Sequence, residues 1–98
     1  MGERSIDQAL VERVQGGDKA AFDILVQKYQ SKIIQLAYRY VHDQDEAMDV
    51  AQEAFIKAYK ALGRFRGDSA FYTWIYRIAI NTAKNYLVAS SRRPPRAD

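Results

Sequence analysis

The chain has no cysteine, a single histidine, and only two prolines, adjacent at Pro94-Pro95 near its end. Without thiols, no disulfide can brace the fold and no thiolate can hold zinc. His42 has no second imidazole to share a metal with and reads as a helix C-terminal residue. No apolar run approaches the ~20 residues of a membrane span, and Met1-Gly2-Glu3-Arg4-Ser5 lacks the apolar stretch of a secretory signal. A soluble, cytoplasmic protein is the expectation. Gly63 and Gly67 are too sparse for a phosphate-cradling fingerprint and follow no strand pattern. Alternating apolar and polar runs and two-residue hairpin signatures are also scarce, which argues against a sheet. No cofactor or metal is expected.

What is present is one domain's worth of chain. Its 98 residues, 48% of them hydrophobic, allow a modest core and argue against disorder. Charge is distributed unevenly: residues 1–62 carry eight Lys/Arg against ten Asp/Glu, and residues 63–98 carry seven against two. The basic last third suits a polyanionic partner, although the same charge could serve only to keep a tail solvated.

Helical periodicity runs through most of the sequence. Ser5 and Gln8 resemble a capping box, with Ile6, Leu10 and Val14 as the apolar stripe and Gly16-Gly17 as the stop. Asp18 is placed to cap a second helix, whose Phe22, Leu25, Val26, Tyr29, Ile33, Leu36, Ala37 and Tyr40 share a face up to about Val41. Asp43 and Glu46 open a third, with Ala47, Val50, Ala51, Ala54, Phe55, Ala58 and Leu62 facing inward before Gly63. Asp68 or Ser69 is expected to cap a fourth, carrying Phe71, Trp74, Ile75, Ile78, Ala79, Thr82 and Tyr86 inward and fading near Ala89. The expected fold is all-α: a compact four-helix domain over residues 1–90, with a short loop before the last helix. Residues 91–98 read as a basic, proline-containing tail, the start of an interdomain linker.

Two polar constellations stand out. On the outer face of the third helix, Asp45, Asp49, Gln52, Glu53, Ile56 and Lys60 fall in one arc, a hydrophobe among acids and an amide. Such a stripe can receive a basic partner helix, and it can equally be a solvated face whose acids favour the helix dipole. The second constellation is the segment Arg64-Phe65-Arg66-Gly67-Asp68-Ser69 together with the outer face of the fourth helix. There Thr73, Arg77, Asn81 and Lys84 align, Asn85 borders them, and Tyr72, Trp74 and Tyr76 add aromatic surface. Guanidinium groups hold phosphates, amides can meet base edges, and a loop around Gly67 could enclose an everted base. Phe71 reads as core; Trp74 stands at the edge of the apolar stripe and reads either way. The acids have no nucleophile beside them, so no enzyme emerges.

Asp49-Val50-Ala51-Gln52-Glu53-Ala54-Phe55, then Phe65-Arg66-Gly67-Asp68-Ser69, then Thr73-Trp74-Ile75-Tyr76-Arg77-Ile78-Ala79-Ile80-Asn81 together resemble region 2 of an extracytoplasmic-function (ECF) sigma factor of the sigma-E/AlgU group. The likeness covers essentially the whole chain. It implies that Asp49, Gln52, Glu53 and Ile56 engage the coiled coil of the largest catalytic subunit of core RNA polymerase. It also implies that the 64–69 loop captures a base flipped from the single-stranded non-template strand of the promoter −10 element, with Arg77, Asn81 and Lys84 on neighbouring bases and phosphates. A membrane-tethered anti-sigma factor is implied as a third partner. The family's second domain, region 4, is not contained in this sequence, which the resemblance reads as ending in the linker before it. A helix-turn-helix repressor and a pure protein-interaction module are the rival classes, the first preferring duplex DNA and the second ignoring it.

Overall fold

The computed structural model describes residues 2–91 as four α-helices: α1 (Glu3–Gln15), α2 (Lys19–Val41), α3 (Gln44–Ala61) and α4 (Phe71–Ser91), with a 3₁₀ turn at Leu62–Arg64. Of the tail read as a linker at residues 91–98, Ser91 is the last residue of α4, and residues 92–98 lie outside the described part.

Local chemistry sets the corners. At the end of α1, Gly17 takes φ +107°. Its N–H donates to Val14 O at 2.9 Å, and the Asp18 N–H donates to Arg13 O at 2.9 Å. This is the paired-bond stop that only glycine enters without strain. Asp18 then serves the next helix: one carboxylate oxygen accepts from the Ala20 N–H, the other from Nε and Nη2 of Arg13 at 3.0 and 2.7 Å. The hydrogen bonds from Arg13 hold the pKa of the Asp18 carboxyl below its ordinary value, despite some desolvation. His42 closes α2 in the left-handed region, φ 56°, with its N–H on Tyr38 O. Asp43 caps α3 by accepting from the Glu46 N–H at 2.9 Å.

The core gathers one face of each helix. Leu25 and Ile33 of α2, Val50 of α3 and Phe71 and Ile75 of α4 are buried, each worth roughly 1.5–3 kcal/mol of transfer free energy. Ala47, Ala51, Ala54 and Ala58 form a buried stripe on α3, whose small side chains allow close approach to α2 and α4. Tyr86 of α4 adds a polar link, its hydroxyl donating to Glu46 of α3 at 2.8 Å.

Four expectations are corrected. The first helix begins at Glu3 with Gly2 as cap, so Ser5 lies inside it and forms no capping box. Its buried residues are Asp7, Leu10 and Val11, while Ile6 is exposed. Leu10 is buried as expected and Val14 is partly buried, but Asp7 replaces Ile6 on the inner face because α2 supplies partners for its carboxylate, which is 2% exposed. Lys28 Nζ donates to Asp7 at 2.7 Å, the Tyr29 hydroxyl donates to its other oxygen, and Lys28 also pairs with Glu3. Burial, then the bond to Asp7, pushes the Tyr29 phenol up to about 12. The hydrogen bonds to Asp7 and then Glu3 raise Lys28 above its ordinary value. At α4, the Trp74 N–H donates to Ala70 O, so the cap position is Ala70 rather than Asp68 or Ser69. Finally, α4 runs on through Ser91 instead of fading near Ala89.

Candidate functional site

The loop Phe65–Ala70 leaves the 3₁₀ turn extended and enters α4 against an aromatic cluster. Phe65 is only 9% exposed. Its ring centroid lies 4.8 Å from that of Trp74 and 6.5 Å from that of Phe71, with Phe71 and Trp74 6.0 Å apart. Phe65 is therefore an anchor that pins the loop to α4 as well as a pocket wall. Phe71 is core, as its spacing implied, and Trp74 is half-buried.

Beside this cluster a solvent-open cavity of about 530 Å³ is lined by Arg64, Phe65, Arg66, Asp68, Ser69, Trp74 and Arg77. Its size falls within the ~300–1,000 Å³ typical of small-ligand clefts. Three guanidinium groups border an indole, a hydroxyl and a carboxylate: donors for phosphate, an aromatic surface for a base, and acceptors for its amines. Seven of the residues singled out from sequence are thus brought to one cavity.

The others are distributed around it. Thr73, Arg77, Asn81, Lys84 and Asn85 are exposed on α4, and Asn81 lies seven residues, about 10 Å, beyond Trp74 along the helix. They extend the cavity into a polar strip. Tyr72 and Tyr76 stand on the opposite flank: Tyr72 stacks on Tyr29 at 5.0 Å and meets Tyr76 at 5.5 Å, and Lys32 Nζ sits 5.5 Å from its ring. The structure sets these two rings apart from the cavity. Gly67 faces the other way, towards α1, lining a second cavity with Arg4, Ser5, Gln8, Ala9, Glu12 and Arg66.

On α3, Asp45, Asp49, Gln52, Glu53, Ile56 and Lys60 are all exposed. Asp49, Gln52, Ile56 and Lys60 border a groove of about 660 Å³ between α2 and α3, floored by Phe22, Val26 and Phe55. Glu53 pairs instead with Lys57 at 3.3 Å. Ile56, 48% exposed, is not alone there, because Met48 and Tyr59 are exposed in the same groove. The spacing Met48, Gln52, Ile56, Tyr59 already marked that apolar strip in the sequence. The contribution of α2 had no such signal, since Phe22 and Val26 belong equally to its core face. Among the described residues, no cluster of His, Cys, Asp or Glu could hold a metal, and no helix is long and apolar enough to cross a membrane.

Comparison with known proteins bears on the family and the fold. The Sigma-70 region 2 family matches residues 25–93. The chain is 76% identical over 92 residues to the RNA polymerase sigma-H factor of Pseudomonas aeruginosa, covering 94% of this chain and 48% of that protein. It is 65% identical over 98 residues to the ECF RNA polymerase sigma-E factor of Escherichia coli K12, covering all of this chain and 51% of that one. The chain therefore spans about half the length of these relatives. Among solved structures, an NMR structure of an engineered region 2 of sigmaE in complex with GTAAAA superposes with a TM-score of 0.86 at 58% identity, covering 95% of this chain and 97% of that one.

Proposed function

The chain belongs to the sigma-70 region 2 family, as an ECF sigma factor domain, and from that premise we propose that it recognises the promoter −10 element by capturing a flipped non-template base in the cavity beside the 64–69 loop. Sigma factors are transcription initiation factors, not enzymes. The observation that carries the reading is that cavity, where Arg64, Arg66 and Arg77 surround Trp74, Asp68 and Ser69. A related domain was solved with GTAAAA, which makes that oligonucleotide the natural first probe.

Unstacking a base costs a few kcal/mol, and the cavity offsets this only for a base that fills it and satisfies its polar groups. Reading the sequence and holding the strands apart then become one event. Arg77, Asn81, Lys84 and Asn85 continue the contact along the strand, with cations on phosphates and amides on base edges.

Core RNA polymerase is the second partner in this reading. The groove between α2 and α3 offers Ile56, Met48 and Tyr59 as buried area, with Asp49, Gln52 and Lys60 fixing register. A membrane-tethered anti-sigma factor would act by covering this surface.

The test is a titration of labelled single-stranded GTAAAA against a scrambled oligonucleotide of the same composition. Preferential binding of GTAAAA is expected, with strong salt dependence because Arg64, Arg66, Arg77 and Lys84 displace counterions. Equal affinity for both sequences removes the base-capture reading. Preference for duplex over single strand would favour the helix-turn-helix alternative.

A further inference from the structure

We infer that one face of α1 is the template that holds the Leu62–Gly67 segment in its base-accepting shape before DNA arrives, with Gln15 as its main positioning residue. This rests on the base-capture reading above and adds residues that touch no nucleotide in it. Gln15 Nε2 donates to two backbone carbonyls, Leu62 O at 3.0 Å and Phe65 O at 2.9 Å. An amide nitrogen carries two N–H groups, and both are used here. At the far end, Arg4 Nη2 donates to Gly67 O at 3.2 Å. Between them, a Cβ on Gly67, whose φ is +79°, would sit 3.3 Å from the Gln8 side-chain oxygen.

These contacts share one helical stripe. Positions 4, 8, 11 and 15 recur at the four- and three-residue steps of a single face, and the Val11 between them is fully buried. Arg4 and Gln15 are three turns apart, about 16 Å along α1. The segment from Leu62 to Gly67 runs antiparallel beside that stripe, meeting Gln15 first and Arg4 last.

Leu62 O already accepts from the Phe65 N–H at 3.0 Å within the 3₁₀ turn, so Gln15 occupies its second lone pair, and Gln15 also serves Phe65 O, which lies beyond that turn. Water could serve them instead, but water would not fix their direction. Gln15 fixes both at the points where the chain turns towards the cavity wall formed by Phe65. A loop held this way binds without the ordering cost of a floppy one, so the gain appears in affinity for a ligand that fits. Non-specific attraction of a polyanion to the arginines does not need the shape.

The experiment compares the 98-residue chain with Gln15→Glu, which keeps length but turns an acceptor towards two carbonyls, and with Arg4→Met, which removes only the exposed bond to Gly67. The readout is the ratio of affinities for GTAAAA and its scrambled counterpart. For Gln15→Glu this ratio is expected to fall about tenfold, beyond the weakening that one added negative charge brings to both oligonucleotides alike, with a smaller fall for Arg4→Met. Amide exchange of residues 63–67 without DNA is expected to quicken alongside. If the parent chain discriminates and the folded variants discriminate equally well, the template role is overturned and base capture survives. If the parent itself does not discriminate, base capture fails and takes this inference with it. Should Gln15→Glu not fold, an unchanged ratio in Arg4→Met overturns the role by itself.

Discussion

The rings of Phe65 and Trp74 lie 4.8 Å apart at an interplanar angle of 40°. One belongs to the loop and the other to the first turn of α4, so the two sides of the cavity are tied by an aromatic contact, which Phe71 reinforces from the core side. A ligand that enters beside Arg64 and Arg77 meets this contact directly.

Trp74 is the only tryptophan in the chain, so its emission reports on the cavity alone. Saturating GTAAAA is expected to change Trp74 fluorescence in intensity or wavelength, and the scrambled oligonucleotide to change it less at equal occupancy. Unaltered emission at full occupancy would place the DNA elsewhere on the domain.

The two candidate faces are on different elements and should separate genetically. Asn81→Ala with Lys84→Ala is expected to weaken oligonucleotide binding about tenfold, the loss of one base-edge contact and one phosphate contact, while sparing polymerase. Gln52→Ala with Ile56→Ala should do the reverse in a core-polymerase pull-down. A shared loss in both assays, with unchanged circular dichroism, would mean one common site.

Asp7 is expected to matter for stability rather than for binding. Removing its carboxylate in Asp7→Ala leaves the Tyr29 hydroxyl without its acceptor and Lys28 with Glu3 alone, at a cost of about 3 kcal/mol. Lys28 is 28% exposed and can turn to water, which keeps the cost below the top of the range for buried pairs. Urea unfolding measures it, and a midpoint equal to that of the parent would show that the pair contributes no net stability.

The same network sets the alkaline limit. Tyr29 titrates near 12 in the folded chain against 10.0 unfolded, and Lys28 is also raised above its unfolded 10.5. Above about pH 10 the folded state therefore holds more protons than the unfolded one. The stabilisation is complete below that point and is lost as pH rises through the folded values. Melting temperature should decline from about pH 10 to 12, and Tyr29→Phe should make the decline shallower. An equally steep fall in that variant would assign the effect to other groups.

The parts legible in the sequence were those whose partners lie within a turn or two. Asp18 and Asp43 cap the helices they precede, Gly16-Gly17 stops α1, and the alanine stripe of α3 is buried as its period implied. Arg64, Phe65, Arg66, Trp74 and Arg77 reach one cavity because loop and helix adjoin in the chain. Asp7 was illegible for the opposite reason. A carboxylate on a helix reads as solvent-facing until Lys28 and Tyr29, 21 and 22 residues on, fold back over it. With Asp7 buried, Ile6 is left outside, while Leu10 keeps its expected place in the core. Gln15 reaches carbonyls 47 and 50 residues away, a contact that no periodicity encodes. Tyr72 and Tyr76 could not be divided from Trp74 by composition; only the position of α2 shows which rings have a neighbour to stack on.

The match to the sigma-70 region 2 family begins at residue 25, and α1, which ends at Gln15, lies wholly upstream of it. A protein trimmed to residues 25–93 would keep every residue of the cavity wall and lose the brace along its back. The support of the cavity therefore reaches further towards the start of the chain than the family match does.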